Sequence, residues 1–251
     1  MVSKSAPARA VSSYWRDARA PRYAVVLAAP LLLLYEGLAA LTAGTGDGAV
    51  RNGADVMLTQ LVGAVAGDRA PLVLGVLLLG GGGWLIARDW QAHGAPQRGR
   101  LALMLAESMG WAVLTGIVVG SLTQGLLSRL HLLAVGPGGF GPATQLALSL
   151  GAGLFEELLF RVLLVGGLLL ATRALLGWGP VASTVTALVG SALVFSAFHY
   201  VGPFGDAFTL ASFTFRALAG LWFSGLYVTR GFGITAWAHA LYDVLVTVVI
   251  T

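Results

Sequence analysis

Apolar residues fill this chain in long blocks separated by short polar breaks, and the lengths of the blocks carry more information than any periodicity within them. The blocks fall at about 23–43, 71–87, 101–122, 144–170, 181–201, 207–229 and 234–251. A helix needs roughly 17–25 residues, at about 1.5 Å each, to cross the hydrocarbon of a bilayer, and each block comes close to that length or exceeds it. Lipid offers no water to unpaired backbone N–H and C=O groups, so every block is predicted to be an α-helix. The expected fold is therefore all-α, a polytopic transmembrane bundle with seven spans. Residues 54–66 (Ala-Asp-Val-Met-Leu-Thr-Gln-Leu-Val-Gly-Ala-Val-Ala) are short and polar for a crossing. They predict an interfacial or re-entrant helix, with an eighth crossing as the alternative.

Composition agrees with the pattern: of 251 residues, 57% are hydrophobic and 10% charged, and the mean hydropathy is +0.83. Soluble globular domains do not have these values. There are no cysteines, so disulfides and thiolate metal sites are excluded, and any metal would be held by His and carboxylate. The formal charge of +4 comes largely from the tail before the first block, where Lys4, Arg9, Arg16, Arg19 and Arg22 face only Asp17. Residues 44–70 hold Asp47, Asp55 and Asp68 against Arg51 and Arg69, whereas 88–100 hold Arg88, Arg98 and Arg100 against Asp89. Arg173 and Arg230 follow the fourth and sixth blocks. Basic loops thus alternate with neutral or acidic ones, which predicts a cytoplasmic N-terminus and a C-terminus on the other side, with Arg129 in an outer loop as the departure. The block from Tyr23 to Ala43 exceeds the roughly 7–15 residues of a signal-peptide core, so it reads as a retained anchor. Heavy use of Ala, Gly, Leu and Arg suggests a GC-rich bacterium and hence its inner (plasma) membrane. The chain divides into a cytoplasmic basic tail over 1–22, N-terminal transmembrane helices over 23–143 and a C-terminal core over 144–251, with no internal repeat. The glycines at 80–83, and Gly116 with Gly120, read as close helix packing through small residues, with a hinge or gate as the alternative.

The ionisable residues inside the blocks are the candidates for chemistry. Phe155-Glu-Glu-Leu-Leu-Phe-Arg161 places two acids and a base in the fourth block, and each charge near a bilayer centre costs roughly 2.5–3.5 kcal/mol on insertion scales. Glu157 and Arg161 are four apart and share a helix face, so they can pair. Glu156 points about 100° away and has no local partner. Phe195-Ser-Ala-Phe-His199 and His239-Ala-Leu-Tyr-Asp243 place two histidines late in the fifth block and early in the last. His239 and Asp243, again four apart, can orient one another or bind a third species. These groups either tie helices together or form a water-shielded carboxylate–imidazole base. Glu36, Glu107 and Arg216 are further intramembrane ionisables; Arg216 is expected to pair with Glu36 or Glu107, or else to face substrate. Trp15, Trp84, Trp90, Trp178 and Trp237 lie near block ends, as an interfacial belt requires.

Taken in order and each on its own helix, Glu-Glu-x-x-x-Arg (156–161), Phe-x-x-x-His (195–199) and His-x-x-x-Asp (239–243) resemble the motifs of the CPBP intramembrane proteases. That family includes the CAAX prenyl endopeptidases and the Abi-like bacterial proteins grouped with bacteriocin self-immunity. The resemblance covers about 144–251. It implies that Glu156 and His199 activate a water for peptide hydrolysis and that His239 and Asp243 stabilise the oxyanion. Glu157 and Arg161 would orient the motif helix, and Phe195 would support His199. The implied substrate is a membrane-associated protein or peptide within the lipid bilayer, with no nucleic acid. Asp243 departs from the commoner Asn, since an ionised Asp repels an oxyanion where Asn donates to it. Alternatively Glu156, His199, His239 and Asp243 form a two-His, two-carboxylate set able to hold Zn²⁺. The glutamate-activated water, with no cofactor, is preferred because no close-spaced motif such as His-Glu-x-x-His is present. A non-catalytic scaffold or immunity protein is the rival class, and small-solute transport fits worse without a repeat. One geometric demand follows. Counted from Ile234, His239 lies only about 8 Å deep, while His199 lies near the opposite end of its block. The two can meet only near mid-membrane, if the fifth helix extends past His199 towards Pro203 or if 207–229 fails to cross cleanly.

Overall fold

The computed structural model describes residues 13–44, 50–127, 140–202 and 205–250, without the side chains of Leu127 and residues 248–250. Lys4, Arg9, Asp47, Arg129 and Pro203 therefore lie outside the described residues. Within them the chain is all-helical, with eight long helices: α1 (Pro21–Thr42), α2 (Gly53–Ala66), α3 (Ala70–His93), α4 (Arg98–Leu127), α5 (Pro142–Leu175), α6 (Pro180–Phe198), α7 (Leu210–Arg230) and α8 (Phe232–Ile250). A helical turn over 13–18 precedes them. The protein is a helical membrane bundle, as the block pattern requires.

Among the described residues, five stretches are long and apolar enough to cross a membrane, against the seven expected: Pro21–Thr42, Gly53–His93, Arg98–Leu126, Pro142–Leu175 and Pro180–Phe198. The other two expected spans are α7 and α8, helices of 21 and 19 residues. The α8 helix is central. It packs on α1, α4, α5 and α7, and its described side chains are all buried or half-buried.

Residues 54–66 do form a helix, but α2 has only 14 residues, about 20 Å at 1.5 Å per residue. The chain turns at Gly67, where φ is +55° and a side chain would be strained. Leu58 and Val62 of α2 then share one apolar cluster with Leu74 and Leu78 of α3, so α2 folds back on α3. The crossing length within Gly53–His93 belongs to α3, and α2 has the length expected of a re-entrant helix.

Charged residues gather at one end of the bundle. Arg22 binds Asp17 at 3.0 Å and Asp89 at 3.1 Å, and Arg100 pairs with Asp17. Arg230, at the end of α7, forks onto Glu107 at 2.5 and 2.6 Å, which also accepts from the Tyr14 hydroxyl at 2.6 Å. These pairs correct the partners expected from sequence. Arg216 pairs with Asp206 and Ser212, while Glu36 pairs with Arg51 at 2.7 Å. Arg216 lies 14 residues before Arg230 on α7, about 21 Å away, so Glu107 is reached by Arg230 instead. Trp237 is partly buried, and its indole N–H donates to the Leu27 carbonyl at 2.6 Å.

The tightest helix contacts use other glycines than the two sequence patterns. Of the run at 80–83, only Gly82 approaches a neighbouring side chain, Val25 of α1, and Gly120 faces open space. A β-carbon at Gly153 would lie 2.6 Å from Ala240 Cβ, and one at Gly151 would lie 2.9 Å from Asn52 Cβ. These two glycines let α5 approach α8 on one side and the start of α2 on the other.

Candidate active site

The site is built on α5 where that helix widens. Pro142 starts it at the first turn, where a missing N–H costs nothing. From Ala152 to Val165 the backbone bonds run i→i+5. A π-type turn rotates the chain only slightly less per residue than an α-turn, so the adjacent Glu156 and Glu157 still point apart, and both are buried because protein packs against more than one face of the helix. Glu156 is 7% exposed and Glu157 fully buried.

Each acid has a different set of partners. Glu157 Oε1 lies 3.1 Å from Arg161 Nη1 and accepts from His239 Nδ1 at 2.7 Å. The i,i+4 pair expected from sequence is therefore present, with His239 as a third member. Arg161 also donates from Nη2 to the Gly220 carbonyl at 3.3 Å, and its guanidinium lies over the rings of Phe195 and Phe223 at 4.5 and 5.7 Å. Glu156 Oε1 accepts from Asn52 Nδ2 at 3.0 Å, and its Oε2 faces His199 Nε2 at 3.9 Å.

His199 and His239 both lie beside Phe195, with ring centroids 4.9 and 6.2 Å from its ring, but not because the helix that carries His199 extends. Helix α6 ends at Phe198 and His199 is its C-cap, so the helix does not extend towards Pro203. Instead the ring turns back along its own helix, with Nδ1 2.8 Å from the Phe195 carbonyl, as side chains tilting towards a helix N-terminus do. His239 stacks on Phe223 with centroids 4.5 Å apart and stands edge-on to Phe195 at 6.2 Å. Phe195 thus lies beside His199, His239 and Arg161 together. The His239–Asp243 spacing brings Nε2 and Oδ2 to 3.6 Å, beyond a good hydrogen bond.

The hydrogen bonds also fix the tautomers. A carbonyl and a carboxylate only accept, so His199 Nδ1 and His239 Nδ1 carry protons. In neutral His199 the lone pair is then on Nε2, facing a Glu156 oxygen. The side chains that reach outward are His199 and Asp243, 24% and 30% exposed; Glu157 and Arg161 are sealed.

Zinc asks for three or four donors about 2.0–2.2 Å from one point. Among the described residues no three His, Asp or Glu side chains converge in that way. Glu156 and His199 face one another, whereas His239 is committed to Glu157 on one nitrogen and faces Asp243 with the other. As placed, the four residues form two pairs and not one donor cluster.

Asn52 was not foreseen. It lies just before α2, far from the three motifs, yet it caps that helix and reaches Glu156 across 104 positions. Its local signal was legible, because Asn followed three residues later by Asp55 is an N-cap pattern. Its partner was not.

Comparison with known proteins adds one match. Neither the curated proteins nor the solved structures give one, but residues 137–245 match the family described as type II CAAX prenyl endopeptidase Rce1-like. All three motifs fall inside that stretch and Asn52 falls outside it. Residues 137–245 are thus an Rce1-like domain within a multi-pass membrane chain.

Proposed function

We propose that this protein is an intramembrane endopeptidase that hydrolyses a peptide bond of a membrane-associated protein or peptide, using a water held between Glu156 and His199. The observation that carries this reading is the pair of facing acceptors, Glu156 Oε2 and His199 Nε2, 3.9 Å apart. Two acceptors cannot bond each other, but a water donating one hydrogen to each spans such a gap and keeps a lone pair free to attack. As its oxygen bonds to the carbonyl carbon, Glu156 takes the proton and later delivers it to the leaving amine.

The carbonyl oxygen becomes an oxyanion that needs a donor. A proton held on His239 Nε2 or on Asp243 Oδ2 supplies it, and when Asp243 holds it that residue replaces the Asn seen more commonly at this position. Glu157 sets the His239 ring, Arg161 holds Glu157, and Phe195 packs against both histidines. This route needs no cofactor, and the division into a tail over 1–22, N-terminal helices over 23–143 and a catalytic core over 144–251 goes with it. The gathering of arginines at one end of the bundle supports an N-terminus on the cytoplasmic side of a bacterial inner membrane.

The test compares membrane-protein termini by peptide mass spectrometry in cells carrying the wild-type chain or Glu156→Gln at matched abundance. A terminus present only with wild type is the expected result and identifies a substrate. Repeating that cut with purified protein and a chelator separates the activated-water route, which is insensitive, from a zinc-dependent one. Identical termini, with the variant supporting every phenotype of wild type, would replace the peptidase with a non-catalytic scaffold or immunity protein.

A further inference from the structure

Asn52 Nδ2 donates to Glu156 Oε1, the carboxylate oxygen that does not face His199. An amide NH₂ can only donate, so this contact occupies one oxygen of the carboxylate and leaves the other aimed at His199. Both residues are buried, at 6% and 7% exposure. We propose that Asn52 is a positioning residue for Glu156, and that the segment holding it, outside the Rce1-like domain, completes the active site. The inference rests on the peptidase reading for its catalytic consequence, but not for its geometry.

Asn52 is itself fixed on three sides. Its Oδ1 accepts from Ala54 N at 2.9 Å as the N-cap of α2, which leaves only Nδ2 for Glu156. Its backbone N–H donates to the Tyr35 hydroxyl at 3.1 Å, and that hydroxyl donates to Asp55 Oδ2 at 2.8 Å. Arg51 Nε binds the same Asp55 oxygen at 2.7 Å and forks through its other nitrogens onto Glu36 at 2.9 and 2.7 Å. Tyr35 also packs its ring on Phe155, the residue before Glu156, with centroids 5.2 Å apart. The absent side chains at Gly151 and Gly153 allow the approach, since a β-carbon on Gly151 would meet both Tyr35 and Asn52.

Asn52→Asp tests the inference, because Asp caps a helix as well as Asn does but offers an acceptor where Glu156 needs a donor. Two readouts on the full-length protein in nanodiscs are compared. The first is the infrared carboxylate band assigned to Glu156 by its loss in Glu156→Gln. The second is hydrolysis of a mixture of internally quenched decapeptides. Asn52→Asp should shift the Glu156 band and slow hydrolysis by roughly 100-fold, as a displaced catalytic group does. Asn52→Ser, which also caps, should shift the band in the same preparation and guards against misfolding of the first variant. An unshifted band in both variants, with hydrolysis unchanged, overturns the inference and leaves the peptidase reading standing. A shifted band with no hydrolysis by wild type upholds the Asn52 contact and counts against the peptidase.

Discussion

Replacing Arg161 by Met removes a guanidinium that has no contact with solvent and leaves its partner in place. Arg161 and Glu157 side chains are both 0% exposed. Without Arg161, Glu157 Oε1 retains only the His239 Nδ1 donor at 2.7 Å, its Oε2 already has no hydrogen-bond partner, and the Gly220 carbonyl loses its 3.3 Å donor. Phe195 and Phe223 lose the cation over their rings. Breaking a buried pair by removing one member costs about 3–5 kcal/mol, because an uncompensated charge stays behind. At 1.4 kcal/mol per tenfold, the unfolding constant should rise roughly 100- to 5,000-fold. Taking out both charges, as Glu157→Leu with Arg161→Met, should cost less than Arg161→Met alone, since the stranded charge and not the lost pair dominates. Reversible unfolding in mixed micelles, followed by tryptophan fluorescence, gives all four corners of the cycle. A loss below about 1 kcal/mol for Arg161→Met, or a double variant that merely adds the two single losses, would refute the reasoning. The double variant should also be inactive, because His239 loses the carboxylate that sets its ring.

Other parts of the structure yield further expectations. Gly153→Ala should destabilise by about 1–3 kcal/mol and abolish hydrolysis, since its methyl would drive α5 away from Ala240 of α8 and move Glu156 with it; unchanged melting and hydrolysis would refute this contact. Asp243→Asn, with a fixed amide donor, should keep hydrolysis within about tenfold of wild type, whereas Asp243→Ala should lose about 10²–10³ in rate. Equal rates for the two would remove Asp243 from oxyanion stabilisation. Glu107→Gln weakens the fork to Arg230 and the bond from Tyr14, so trypsin should cut at Arg16 and Arg19 about ten times faster or more, at 1.5–3 kcal/mol for hydrogen bonds to a charged group. An unchanged cleavage rate would show that residues 13–20 are held by something else.

The sequence by itself determined the medium, the element type and the chemistry available. Blocks of bilayer length can only be helices, because the backbone must satisfy its own polar groups in lipid. Charge is so costly there that Glu156, Glu157, Arg161, His199, His239 and Asp243 stand out without any structure. Spacing of four correctly paired Glu157 with Arg161, because a helix fixes its own i,i+4 neighbours. Contacts between helices follow no such rule, and there the sequence reading went astray. Arg216 turned to Asp206 and Arg230 took Glu107, since depth along α7 decides which partner lies in reach. Trp237 donates to the Leu27 carbonyl, a partner on another helix that its place near a block end did not announce. Only the tertiary structure turned His199 back towards Glu156 from a helix already ended at Phe198, placed His239 against Glu157, and brought Asn52 to a carboxylate 104 positions away. Each depends on how closely two helices approach, which is set by the volumes at Gly151, Gly153 and Gly220 and by the wide turns of α5, and those are properties of packed pairs that no single segment contains.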